Sequence, residues 1–112
     1  MKNYSDITAV ISDGMKTLKG EIPDVLDGFT VLQSSANKDG ALDLKTKELI
    51  ALAIGVAGHC DGCIGFHTKR LAELGVTKQE VAETLGVAVY MGGGPSLMYA
   101  AEAIQAFEEF SG

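Results

Sequence analysis

Two cysteines, a histidine and a glutamate carry the chemistry that this sequence could perform. Cys60 and Cys63 are three residues apart, and His67 follows four further on. On a helix these positions fall along one face, so three reactive side chains point the same way. Across an i, i+3 pair the Cα separation is about 5 Å, inside the window a disulfide accepts, so the two sulfurs could close and reopen a bridge without unfolding the chain. The first turn of a helix also favours a thiolate over a thiol, because its backbone N–H groups are unpaired and the positive end of the helix dipole lies there. The thiolate is the nucleophile, and His67, one turn beyond Cys63, is placed to take the thiol proton or to face the sulfur anion as an imidazolium.

Glu48 looks remote, since twelve residues of unbroken helix would hold it about 18 Å from Cys60. A hairpin changes the geometry. If Gly58 and Gly62 bracket a tight turn between antiparallel helices, Glu48 lies about 16 Å back along one arm and His67 about 12 Å back along the other. The carboxylate could then orient the imidazole directly or through one water, completing a nucleophile, base and orienter arrangement. His59, at a helix end among glycines, reads equally as a solvated loop residue or an auxiliary proton donor.

Plainer readings compete at each position. Two cysteines on one face could be inert packing, although a histidine on the same stripe fits poorly in a dry core. Cys60, Cys63 and His67, with His59 or Glu48, could hold zinc, but structural zinc sites usually draw a second pair of ligands from elsewhere and the chain has no third cysteine. Glu48 alone would read as a first-turn carboxylate favoured by the helix dipole. Gly92 to Gly94 has no strand before it and no lysine after it to hold a phosphate, so it reads as a helix break. Glu108 and Glu109 read as a solvated face.

The elements that must position these residues are all helical. Ile7, Val10, Ile11 and Leu18 recur at helical spacing and predict a helix over Tyr4 to Leu18 ended by Gly20. Pro23 suits the first turn of a second helix, on which Val25, Leu26, Phe29 and Leu32 share a face, and Asn37 to Gly40 form the turn after it. Asp43 is a predicted N-cap for a third helix that fades between Gly55 and Gly58. The fourth runs from Asp61 to Leu74 and is stopped by Gly75. Thr77 and Glu80 form a capping box for the fifth, which carries Val81, Leu85, Ala88 and Val89. Pro95 opens the sixth, with Leu97, Ala101, Ile104 and Phe107 directed at the core. No period-two strand is left over.

The 112 residues suit one domain, 46% of them are hydrophobic, and nothing resembles a linker. Two segments, Glu48 to Gly58 and Val81 to Met91, are apolar nearly all the way round, and a six-helix monomer has no second layer to cover them. That predicts a homo-oligomer. A net charge of −6 with nine scattered basic residues argues against nucleic acid or anionic membrane as a partner. Met1 to Asp6 lacks the apolar core of a secretory signal, and no stretch is long and apolar enough to span a bilayer, which predicts a cytoplasmic protein.

The run Glu48-x11-Cys60-x2-Cys63-x3-His67, set in Lys45-Thr46-Lys47-Glu48-Leu49-Ile50-Ala51-Leu52-Ala53 and followed by Gly92-Gly93-Gly94-Pro95, resembles the alkylhydroperoxidase D-like branch of the carboxymuconolactone decarboxylase superfamily. The resemblance extends from about Leu42 to the C-terminus, and its four-residue signature is far more specific than a lone Cys-x-x-Cys. It implies an all-α single domain over residues 1–112, assembled into rings that are often trimers or hexamers. It also implies a peroxidase or disulfide reductase cycle without a bound metal or flavin, serving a hydroperoxide or small disulfide and renewed by a lipoyl or thioredoxin-like dithiol. By position, Cys63 would be the peroxide-attacking cysteine, Cys60 the more exposed resolving cysteine, and Glu48 with His67 the proton relay. One departure bears on that relay: the peroxidase prototype has a histidine immediately before its second cysteine, where this chain has Gly62, and His59 precedes Cys60 instead. The superfamily name keeps a decarboxylase or lactone-processing enzyme as the alternative, which would survive loss of both thiols. A zinc-bound structural oligomer is the other alternative.

Overall fold

The computed structural model describes residues 2–112; of the N-terminal stretch considered above, Met1 lies outside the described residues. Six helices follow one another without a strand among the described residues: α1 (Tyr4–Glu21), α2 (Pro23–Ala36), α3 (Leu44–Ala57), α4 (Asp61–Glu73), α5 (Lys78–Gly92) and α6 (Gly94–Ser111). Local signals set most boundaries. Asp43 accepts a hydrogen bond from the Thr46 N–H to start α3, and Thr77 and Glu80 make the reciprocal capping box at α5. Pro23 opens α2 in its first turn. Helix α1 runs through Gly14 and Gly20 to Glu21, past the predicted stop, because neither glycine has to adopt a left-handed backbone there.

Helices α3 to α6 form the body. The α3/α4 hairpin packs along α5 and α6, α1 lies over α4, and α2 packs on α1. Leu52, Val56, Ile64, Leu71 and Val81 are completely buried where the four helices meet. At about 1.5 to 3 kcal/mol for each fully buried aliphatic side chain, this cluster anchors the hairpin.

Two helices are turned differently from the predicted registers. On α6 the buried row is Ser96, Ala100, Ala103, Ala106 and Phe107, while Leu97 is 49% exposed. Of the predicted inward positions only Phe107 is buried; Ile104 is half-buried and Ala101 exposed. The small-residue row lets α6 approach the body closely, a gain in packing that a ranking by hydrophobicity overlooks. On α1, Tyr4 and Thr8 are buried, whereas Val10 and Leu18 face outward. Helix α2 buries no residue at all.

Candidate functional site

The turn that joins α3 to α4 carries the sulfurs. Its backbone closes α3 with a two-bond motif: the Cys60 N–H donates to the Gly55 carbonyl at 3.0 Å and the His59 N–H to the Val56 carbonyl at 3.1 Å. That motif requires one left-handed residue, and His59 fills the place with φ 55°, where the matching turn after α4 uses Gly75 at φ 72°. A non-glycine residue there costs about 1 to 2 kcal/mol. The His59 ring stacks flat on Tyr99 of α6, with centroids 4.7 Å apart and planes 4° from parallel, which helps to hold the strained residue. The predicted bracketing by Gly58 and Gly62 is therefore corrected. The turn is Gly58, His59 and Cys60, and Gly62 already lies in the first turn of α4, where a Cβ would come 2.8 Å from Ile11 Cδ1. Only the tip of the Ile11 side chain stands there, so a side chain at this position would require that tip to shift.

Cys60 then serves as the N-cap of α4, its sulfur accepting the Cys63 N–H at 3.1 Å. Cys60 and Cys63 are joined as a disulfide with Cα atoms 5.2 Å apart, and both residues are half-buried. The N-cap bond places the Cys60 sulfur at the helix terminus, where the unpaired N–H groups and the positive end of the dipole lie. Cys63 faces α3 instead. A Cβ on Gly55 would lie 2.8 Å from Cys63 Cβ, so the two helices touch at that point. Among the described residues no group of three or more His, Cys, Asp or Glu side chains is arranged to hold a metal ion.

The hairpin brings Glu48 and His67 together as the antiparallel arrangement requires. Glu48 Oε2 lies 2.7 Å from His67 Nδ1, with the carboxylate side chain 6% exposed and the imidazole 28%. Nδ1 donating to the carboxylate leaves Nε2 as the free ring nitrogen, so Glu48 selects both tautomer and ring orientation. Glu48 sits just past the first turn of α3 and is buried, so it is not a dipole-favoured surface carboxylate. His67 also opens on a cleft of about 710 Å³ between the end of α2 and the α3/α4 pair, lined by Gln33, Asn37, Lys38, Phe66 and Arg70 among others. Neither cysteine lines that cleft. The imidazole thus lies on the Cys63 face of α4, one turn along, and is reachable from its other side.

Several supporting residues carry no sequence signal. Lys2 pairs with Asp61 and with Glu102, each at 3.0 Å, and its ammonium stands 4.9 Å from the centre of the Tyr99 ring. Hydrogen bonds to Asp61 and Glu102 raise the Lys2 pKa, and burial, then the nearby carboxylates, raises that of Tyr4, whose hydroxyl lies 3.4 Å from Asp61. Together they tie the N-terminus of the chain to the first residue of α4 and to α6. Separations of 57 to 100 residues hide such contacts from any local pattern.

A model of the carboxymuconolactone decarboxylase family matches residues 23–106. Among relatives, an uncharacterized protein of Cupriavidus necator is 38% identical over 86 residues, covering 77% of this chain and 76% of that one. A crystal structure of a carboxymuconolactone decarboxylase family protein from Legionella pneumophila superposes with a TM-score of 0.96 at 58% identity, over 97% of both chains. A Thermotoga maritima member, whose description raises a role in an antioxidative response, superposes with a TM-score of 0.80 at 27% identity, over 91% of this chain and 87% of that one. A match of this length to the family's model, together with a near-complete superposition on a solved member, means that the chain belongs to the carboxymuconolactone decarboxylase family.

Proposed function

We propose that the protein is a thiol-dependent oxidoreductase of the alkylhydroperoxidase type, reducing an organic hydroperoxide or a small disulfide through the Cys60/Cys63 couple. The observation that carries this reading is a sulfur pair within bonding reach on the same helix as an imidazole fixed by a buried carboxylate. Decarboxylation needs no redox couple, so the pair favours this reading over the reaction in the family name. The description of the Thermotoga maritima relative points the same way.

The cycle starts from the dithiol. The Cys63 thiolate attacks the terminal oxygen of the hydroperoxide and the O–O bond breaks; the leaving alkoxide takes a proton and departs as alcohol, while sulfur becomes a sulfenic acid. The Cys60 thiolate then attacks that sulfur and expels hydroxide, which leaves as water once protonated, and the disulfide forms. His67 accepts the thiol proton and delivers it to the departing oxygen, while Glu48 holds Nδ1, which leaves Nε2 as the nitrogen for that exchange, and stabilises the charged ring. A dithiol of the lipoyl or thioredoxin class returns two electrons and two protons by exchange through a mixed disulfide.

The test mixes fully reduced protein with cumene hydroperoxide and follows free thiols and peroxide together. Loss of both thiols for each peroxide consumed is the expected result. Two free thiols beside undiminished peroxide would overturn the peroxidase assignment, and a parallel titration with lipoamide and oxidised glutathione then decides whether the couple exchanges with disulfides. Catalysis that persists with both cysteines replaced would return the decarboxylase reading.

A further inference from the structure

Both chain neighbours of Cys60 are tied to the same ammonium group. Lys2 Nζ lies 3.0 Å from Asp61 Oδ1 and 4.9 Å from the centre of the Tyr99 ring, and that ring stacks on His59. Asp61 is thus reached directly and His59 through one aromatic ring. The parts come from three distant places in the chain: the residues before α1, the α3/α4 turn and α6. Partly exposed ion pairs of this kind add little to stability, so their consequence is to be sought in the charge they place beside the sulfur.

Asp61 opposes its neighbour. As the first residue of α4 it puts a carboxylate in the turn where the Cys60 sulfur accepts its N-cap bond, and two negative charges would then share one positive helix end. Successive Cα atoms are about 3.8 Å apart, which keeps that carboxylate within about 10 Å of the sulfur. At a partly exposed site, a like charge so close raises the titration midpoint of a thiol by about 0.5 to 1 pH unit.

We propose that Lys2 is a positioning residue for Cys60: its ammonium engages the Asp61 carboxylate and offsets its charge, so that the Cys60 thiolate forms beside a neutralised neighbour. Tyr4 assists, with its hydroxyl 3.4 Å from the same carboxylate oxygen, and Glu102 of α6 holds the ammonium at 3.0 Å. Hydrogen bonds to Asp61 and Glu102 keep Lys2 protonated wherever a thiol titrates. The other titratable groups around the turn are engaged elsewhere, Glu48 of α3 with His67 of α4 and His59 with the Tyr99 ring. Lys2 is the cation placed against Asp61. The proposal rests on the redox reading in one respect, that Cys60 works as a thiolate, and it gives that reading a residue outside the four-residue signature.

Iodoacetamide labelling of the reduced full-length chain tests the assignment, followed across about pH 5 to 10 with the Cys60 peptide resolved by mass spectrometry. No peroxide is present, so the result is independent of turnover. Lys2→Met keeps the hydrocarbon stem without the charge and is expected to raise the Cys60 midpoint by about 0.5 to 1 pH unit, which below the midpoint is about three- to tenfold slower labelling. Lys2→Arg is expected to leave the midpoint in place. Asp61→Asn is expected to lower it and, combined with Lys2→Met, to return it to the wild-type value, because both opposing charges are then gone. A midpoint unmoved in Lys2→Met, equally raised in Lys2→Arg, or still raised in the double variant overturns the proposal. If circular dichroism shows that Lys2→Met disturbs the fold, Asp61→Asn alone decides, and an unmoved midpoint there overturns it as well. Expected shifts in a protein that leaves peroxide untouched would support the role of Lys2 while overturning the peroxidase assignment.

Discussion

Helix α3 buries a carboxylate while helix α2, just before it, holds a phenylalanine in solvent: Glu48 is 4% exposed and Phe29 62%. Judged by residue type alone the two should change places. Glu48 is buried because α4 runs back against α3 and supplies a hydrogen-bonding partner at 2.7 Å, so the polar group enters the interior already satisfied. Phe29 is exposed because its own chain puts nothing over it. One region is finished within the chain and carries the candidate chemistry, whereas the other leaves an apolar row uncovered by its own chain.

The largest effect expected on the finished region is chemical. Cys63→Ser should abolish peroxide turnover, and Cys60→Ser should stop at a sulfenic acid that a dimedone probe traps; trapping in the Cys63→Ser chain instead would exchange the two roles. The N-cap geometry adds a sharper expectation: in the reduced protein at neutral pH, iodoacetamide should label Cys60 before Cys63, as peptide mass spectrometry would report.

Next comes the relay. Glu48→Ala leaves His67 Nδ1 without its acceptor, and turnover should fall by about 10²-fold or more, with a displaced pH–rate profile. Glu48→Gln keeps an acceptor oxygen and should retain part of the rate. Equal loss in both variants would make the negative charge, rather than the hydrogen bond, the feature that matters.

A matched pair of leucines compares the regions through stability. Leu52→Ala at a completely buried site should cost about 2 to 5 kcal/mol in chemical denaturation. Leu32→Ala, 63% exposed, should cost under about 0.5 kcal/mol when measured dilute enough to be monomeric. A large loss at Leu32 under those conditions would erase the distinction.

The smallest effect is a pH dependence at the start of α5. Hydrogen bonds from Lys45, then from the Thr77 backbone and hydroxyl, lower the Glu80 pKa to about 2. Its folded value lies below its unfolded one, so the stabilisation is present above about pH 4.5 and is lost as pH falls toward 2. Thermal melts across that window should show a shallower decline for Glu80→Gln than for the wild type.

Much of the fold could be read along the chain because its signals are local. Asp43 with Thr46, Thr77 with Glu80, and Pro23 are instructions within one helical turn, and each helix start they predict is present. The hairpin carrying Glu48, Cys60, Cys63 and His67 was legible for a related reason, since two helices joined by a short turn have few ways to return. The details of that turn were less accessible. His59 takes a left-handed place that glycine would occupy more readily, and Tyr99, which stacks on it, lies forty residues away. On α6 the alanine row lost to the leucine and isoleucine row in any ranking by hydrophobicity, yet close approach to the body selected the alanines.

Sequence by itself therefore determined the helices, the caps of α3 and α5, and the one face of α4 that carries sulfur and imidazole, because spacing on a helix is a property of the backbone. Tertiary structure decided which rows turned inward, which sulfur capped α4 and which apolar helix was left uncovered. Those choices depend on what lies across a gap of a few ångströms, and the neighbours that fill it come from distant parts of the chain or, on the outer row of α2, are missing from it.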